Sequence, residues 1–209
     1  MKKVLIYKRY ERFWHWSQAS LIIFLAFTGF EVHDSFHFFG FENAVRYHRT
    51  AALLLLVLTA FTIFWHFTTG EWRQYLPTFK NLKAQIEYYT KGIFQGAPHP
   101  FRKNALQKLN PLQVLTYLGF KLVLIPLTLI SGLLYMFDKW FDANGTVMVS
   151  DISLETIALL HTAGAFLLMA FLVVHVYMTS TGHTVLSNVK AMITGYEAVE
   201  EPSEKESHE

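Results

Sequence analysis

Residues 155–180 read ETIALLHTAGAFLLMAFLVVHVYMTS, and after Glu155 the run carries no charge and is broken only by His161 and His175. Crossing about 30 Å of hydrocarbon takes roughly 20 largely apolar residues in a helix, so this stretch predicts a membrane span. Three others qualify, over residues 13–32, 46–69 and 112–137. In the second, Thr50 to Phe67 holds no charge beyond a proton on His66, and the third holds Lys121 alone. The runs are continuous instead of alternating in ten-residue pieces, which argues against a transmembrane β-barrel. The first is too long for a cleaved signal and lacks a small-residue cleavage site, so it is expected to stay as an anchor.

The whole chain agrees with that reading. Of 209 residues, 52% are hydrophobic and 16% charged, with 19 Phe, 10 Tyr and 5 Trp; an ordinary soluble domain carries about 25% charged residues. There is no cysteine, which excludes disulfides, thiolate-bound zinc, iron–sulfur clusters and covalent c-type haem. The net charge of +2 lacks the basic footprint of a nucleic-acid binder.

Basic residues set the orientation. Lys2, Lys3, Lys8, Arg9 and Arg12 precede the first span, and Arg73, Lys80, Lys83, Lys91, Arg102, Lys103 and Lys108 lie between the second and third. The opposite loops and adjoining span ends hold only Arg46, Arg49 and Lys139, and carry Glu31, Asp34, Glu42, Asp138, Asp142 and Asp151. The positive-inside rule therefore predicts an all-α, integral membrane four-helix bundle, multi-pass, with both termini and the long loop cytoplasmic. Trp14, Trp16, Trp65 and Trp72 fall at the cytoplasmic edges and Trp140 at the opposite one, as interfacial tryptophans do. Residues 1–196 are read as one membrane domain and 197–209 as an acidic, disordered tail. In the loop over 71–109, the aromatic and basic stretch 75–89 is expected along the membrane surface, and residues 96–100 form a turn.

Ten histidines in so apolar a chain need a reason. His161 and His175 are fourteen residues apart, which is within about 40° of whole helical turns and about 21 Å along the axis, so both share one face at two depths. His48 matches the outer depth and His15 the inner one; His66 competes with His15, overshooting the 21 Å separation by about one turn. A histidine inside a membrane helix serves either as an interhelical hydrogen-bonding group or as a functional one. Two histidines per level fall short of a zinc shell, whereas bis-imidazole ligation of a haem iron needs only two. On this reading His48 and His161 hold an outer haem and His15 and His175 an inner one. Gly29, Gly132 and Gly164 offer slots for close approach, and Arg46 and Arg49 stand ready for propionates. Lys121 is read as snorkelling to the cytoplasmic interface, with a propionate or proton-relay role as the alternative, and Pro126 as a kink in the third span.

The motifs ERFWHW (residues 11–16), Arg46-Tyr47-His48, and the His161/His175 pair followed by Val176-Tyr177-Met178 resemble the di-haem cytochrome b subunits of respiratory complexes. These are the membrane gamma subunits of formate dehydrogenase, nickel–iron hydrogenase and thiosulfate reductase, related to prokaryotic cytochrome b561. The resemblance covers all four spans and implies the same two histidine pairs, two haem b groups, and a bacterial inner-membrane location. It also implies a quinone (menaquinone or ubiquinone) site at an Asn-x-x-Gln motif where the third span begins. Asn110 and Gln113 fit by position. Asn104 and Gln107 match the pattern but fall outside the membrane, and Asn110-Pro111 is equally readable as a helix cap followed by proline in the first turn.

The function so implied is transfer of electrons across the membrane between a periplasmic redox subunit, an iron–sulfur or multihaem protein, and the quinone pool. Lipid and quinone are the other expected partners, and nucleic acid is not one. Two alternatives stand beside it: a stand-alone enzyme similar to superoxide oxidase, using Arg46, Arg49 and Lys139 as an anion pocket, and a non-redox anchor or transporter.

Overall fold

The computed structural model of the chain describes residues 2–79, 81–97, 101, 108–143, 153–182 and 184–199. The end of the expected turn at residues 98–100, the Asn104/Gln107 motif, the side chains of Lys139, Trp140 and Asp142, Asp151, and the tail beyond Val199 lie outside the described residues. The chain runs β1 (Lys2–Leu5), α1 (Arg9–Val32), α2 (Phe41–Thr69), a 3-10 turn (Glu71–Tyr75), α3 (Leu82–Thr90), and a second 3-10 turn (Gly92–Gln95). It continues through α4 (Pro111–Gly119), a π-helical turn (Phe120–Leu124), α5 (Ile125–Ala143), α6 (Leu154–Thr179), α7 (Ser187–Thr194) and β2 (Tyr196–Val199).

Helix ends follow local chemistry. Glu11 reaches back to the Lys8 backbone N–H at 2.6 Å, as the acidic half of a capping box does at the start of α1. At its other end Asp34 takes a left-handed φ of 62°, and the Ser35 and Asp34 N–H groups return to the Phe30 and Glu31 carbonyls, the bonding pattern of a Schellman motif. The π turn precedes Pro126, whose missing N–H cannot close the regular ladder.

This is an all-α membrane protein: α2, the continuous helix Pro111–Asp138 and α6 are each long and apolar enough to cross a membrane. α1 covers the expected first span but opens on Arg9, Glu11 and Arg12. The chain divides into two compact units. The first holds Trp14–Thr68 and Leu118–Val174. Its buried positions are mostly small or polar (Thr28, Ala44, Ala51, Thr62, Ser131), while Leu53, Leu54, Phe61, Phe64, Leu159 and Leu167 are exposed. Lipid is as apolar as leucine, so helices in a bilayer pack through small residues and turn large ones outward. Along α2 the buried Ala44, Ala51, Leu55, Thr62 and His66 recur in steps of four and seven; along α6, Ile157, Gly164 and Leu168 do the same. Phe120 stacks on Phe171 at 4.4 Å, within a cluster that includes Ile125, Leu168 and Ile22.

The second unit holds Met1–Phe13, Thr69–Tyr117 and His175–Glu209. Here the structure corrects the sequence reading of the tail: Glu197 to Val199 belong to β2, which pairs antiparallel with β1, Lys2 opposite Val199 and Leu5 opposite Tyr196. The reason is a turn at Gly195, whose φ of 90° suits glycine and whose carbonyl accepts the Ile6 and Tyr7 N–H groups. The Arg12 guanidinium donates to the Ile193 carbonyl at 2.6 Å. A short strand with a partner nearly two hundred residues away leaves no periodic signal in composition.

Charges knit the same unit. The Lys108 ammonium, 5% exposed, donates to Glu11 at 2.7 Å and Glu71 at 3.1 Å, and Lys8 bonds the other Glu71 oxygen. Burial works against the Glu71 carboxylate, but the hydrogen bonds from Lys8 and Lys108 outweigh it and hold its pKa below the ordinary value. A depressed carboxylate contributes stability that is complete above the ordinary carboxylate range and lost as pH falls through the lowered value. Replacing Lys108 with Ala leaves Glu71 with the Lys8 ammonium and Glu11 with the Lys8 N–H, so it is expected to cost about 2 kcal/mol, less than breaking a fully buried pair. Limited proteolysis of the 70–95 stretch against pH checks this: cleavage should begin at higher pH in Lys108→Ala than in the native chain.

Candidate metal centre

α2 carries His48 on the stripe set by Ala44 and Ala51, and α6 carries His161 between Ile157 and Gly164. The two imidazoles, both half-buried, lie 6.1 Å apart between ring centroids, with their planes crossed at 79°. A metal bonded to both rings, through bonds of about 2 Å each, needs a centroid separation of about 6 Å.

Each ring has one nitrogen fixed by the protein. His161 Nδ1 lies 3.0 Å from the Thr128 carbonyl and 3.3 Å from Ser131 Oγ. A carbonyl only accepts, so Nδ1 carries the hydrogen and Nε2 presents a lone pair. His48 Nδ1 lies 3.0 Å from Thr28 Oγ1; that hydroxyl donates to the Phe24 carbonyl at 2.9 Å, so it accepts from the ring. Both imidazoles are thus in the tautomer of a metal-ligating histidine whose other nitrogen is held by an outer partner. Among the described residues no three His, Asp or Glu side chains gather as a metal shell. An ion at this pair has to bring most of its own ligands, as haem iron does with four porphyrin nitrogens. The donor set fits haem, which His48 and His161 would hold.

The glycines sort by what they face. A Cβ on Gly29 would sit 3.5 Å from His48 Cε1, an ordinary contact, whereas one on Gly132 would sit 2.8 Å from His161 Cε1. A Cβ on Gly164 would meet Thr128 Oγ1 at 2.6 Å, so the helices approach closely there. Arg46 bonds the Asn43 side chain at 2.9 Å and lies over the Tyr47 ring; Arg49 is exposed.

His66 belongs to a different cluster. Its Nδ1 lies 2.7 Å from the Thr62 carbonyl, and its Nε2 lies 3.3 Å from Lys121 Nζ. Lys121 also sits 4.6 Å from the centroid of the Trp14 ring. Lys121 makes these contacts from within the π-helical turn, beside Trp14 at the expected cytoplasmic edge. Both His66 nitrogens are engaged with the protein. His15 has the Trp16 ring edge-on at 5.1 Å; His175, in the other unit, has Tyr117 at 6.1 Å.

Asn110 and Gln113 cap the start of α4 reciprocally. Asn110 Oδ1 accepts the Gln113 N–H at 2.8 Å and Gln113 Oε1 accepts the Asn110 N–H at 3.0 Å, with Pro111 in the first turn. Asn110 Nδ2 donates to the Tyr89 hydroxyl at 3.3 Å. Burial raises the Tyr89 pKa, which keeps the phenol protonated.

Sequence reading missed Thr28, Thr128 and Ser131 as partners of the rings. Thr28 was within reach: counting back from the 33–40 connection along α1 and forward along α2 puts it near the depth of His48.

An apolar helical protein with two facing imidazoles that would suit a haem iron has the character of a membrane cytochrome of the b type. The chain belongs to the prokaryotic cytochrome b561 family, whose sequence model matches residues 6–195, and is therefore a b-type cytochrome involved in membrane electron transfer. It is similar to "Putative cytochrome YdhU" of Escherichia coli (strain K12), at 31% identity over 204 residues that cover 93% of this chain and 75% of that protein. No solved structure matches it significantly.

Replacing Gly132 with Ala should drive the His161 ring off the Thr128 carbonyl and lower the haem-to-chain ratio, whereas Gly29→Ala should leave the ratio unchanged. Pyridine haemochrome assay against protein mass measures both.

Proposed function

We propose that this chain is the di-haem, quinone-reactive subunit of a membrane oxidoreductase. It moves electrons across the bacterial inner membrane, which it spans several times with both termini cytoplasmic, between a periplasmic redox subunit and the quinone pool. The observation that carries this is the crossed His48–His161 pair with both Nδ1 atoms held by protein acceptors. His161 lies four residues beyond Ile157 and His175 seven beyond Leu168, so the buried stripe of α6 continues through both histidines. That registry supports a second, inner haem held by His175 and His15, and the engagement of His66 by Lys121 favours His15 as its partner. The similar protein's description as a cytochrome supports haem as the group. Bound haem supplies one-electron transfer; the protein fixes its position and tunes its potential.

For the quinone, the cap at Asn110 and Gln113 uses the two amide oxygens. The amide nitrogens are donors, which is what a quinone carbonyl needs. Capping and quinone binding therefore draw on opposite ends of the same side chains.

The reading is tested by a reduced-minus-oxidised spectrum with haem quantitation. Two haems per chain are expected, and a colourless preparation made with ample porphyrin would falsify it. His161→Ala should leave at most one haem and His66→Ala two; loss on His66→Ala with retention on His15→Ala would reassign the inner ligand. Asn110→Asp keeps the capping oxygen and removes the donor. It should leave haem content and thermal stability near native while slowing quinol oxidation by about tenfold or more, the scale of about 1.4 kcal/mol for a lost hydrogen bond to substrate. Native turnover in Asn110→Asp would take Asn110 out of the quinone site.

A further inference from the structure

We infer that Thr28 is a positioning residue for the outer haem, setting its potential by holding the Nδ1 hydrogen of His48. The inference rests on the His48–His161 reading above.

Thr28 is completely buried (0% exposed), so no solvent molecule reaches the site to replace its oxygen. Its hydroxyl hydrogen is spent inside α1, on the Phe24 carbonyl at 2.9 Å or the Leu25 carbonyl at 3.2 Å. Both acceptors lie in the preceding turn, and a Thr hydroxyl in a helix commonly bonds back in this way. Whichever it uses, the oxygen is left as an acceptor for His48 Nδ1 at 3.0 Å. Gly29 lies beside it, where a Cβ would make only ordinary contact with the His48 ring, so the specific restraint on the ring from this turn is the Thr28 hydroxyl.

The chemistry has a sign. An imidazole that donates its distal N–H to an acceptor gains electron density at the ligating nitrogen. A more basic axial ligand favours the ferric over the ferrous state and lowers the potential. Removing the acceptor should therefore raise it. The two axial ligands are held unequally: His161 donates to a backbone carbonyl that no substitution removes, while His48 donates to a side-chain hydroxyl. Thr28 is the adjustable half of the site.

The test is Thr28→Val, which keeps the shape and deletes the oxygen, beside Thr28→Ser, which keeps the oxygen. Potentiometric titration of the purified chain resolves the two haems. In Thr28→Val the outer component's oxidised-to-reduced ratio at fixed potential should fall by up to about tenfold, the scale of one hydrogen bond, or about 59 mV for one electron. The inner component should stay put, and Thr28→Ser should titrate as the native chain does. If Thr28→Val loses the outer haem, retention in Thr28→Ser with a native potential upholds the role of the hydroxyl, and loss in both overturns it.

An unshifted potential in haem-loaded Thr28→Val would also overturn it and give the ring's hydrogen to the Leu25 carbonyl, which lies close to the same ring. An equal shift of both haems would mean general loosening and would overturn it too. A native chain without haem would remove the His48–His161 reading itself, a different failure from a haem-loaded variant that does not shift.

Discussion

An imidazole inside a membrane helix has two nitrogens, and a bilayer tolerates neither one left bare. At His48 and His161 the bonds seen among the described residues hold Nδ1, through a hydroxyl oxygen from α1 and a carbonyl from α5. That arrangement suits the pair to the proposed haem. Had both nitrogens been engaged, as they are at His66 between Thr62 and Lys121, the ring would be a strut between helices. The same residue type thus serves two ends in one helix, and the second nitrogen decides which.

Holding the rings there dictates the composition around them. The His161 ring stands against a backbone that lacks a side chain, at Gly132, whereas Gly29 beside His48 leaves room for one. The stripes that bring the helices together are built from Ala, Thr, Ser and Gly, leaving Leu, Val and Phe to face outward. In a bilayer this costs nothing, because a large apolar side chain gains little by turning from lipid to protein. It also explains why a chain so rich in leucine has so small an apolar core, centred on Phe120, Ile125 and Leu168.

Much of this was legible beforehand because it is written in local periods. The apolar runs gave the helices, and the fourteen-residue interval put His161 and His175 on one stripe. Asn110-Pro111 announced a helix start. What escaped depends on distance across the fold. Nothing near Lys121 says that a π turn before Pro126 aims it at His66, and nothing in the acidic tail says that Glu197 to Val199 will find β1. Nothing in the sequence around Thr28, beyond its depth along α1, points to the His48 ring that its hydroxyl meets.

The unit that carries Asn110 shows how a helix cap leaves room for the proposed quinone contact. Lys108 is pinned through its ammonium to Glu11 and Glu71 and through its N–H to Gln74 at 3.2 Å. The chain therefore enters α4 from a fixed point two residues before the cap. Asn110 and Gln113 then settle each other's backbone N–H with their oxygens, and Tyr89 takes one hydrogen of the Asn110 amide. Apart from the Tyr89 bond, these restraints fall on the amide oxygens or on the backbone, so the orientation of the amides is set without consuming all their donors. Donors whose direction is already fixed lose little freedom when an acceptor arrives, and a carbonyl ligand gains affinity from that saving. The ion network, remote from any chemistry, is then the means by which the start of α4 keeps its donors aimed.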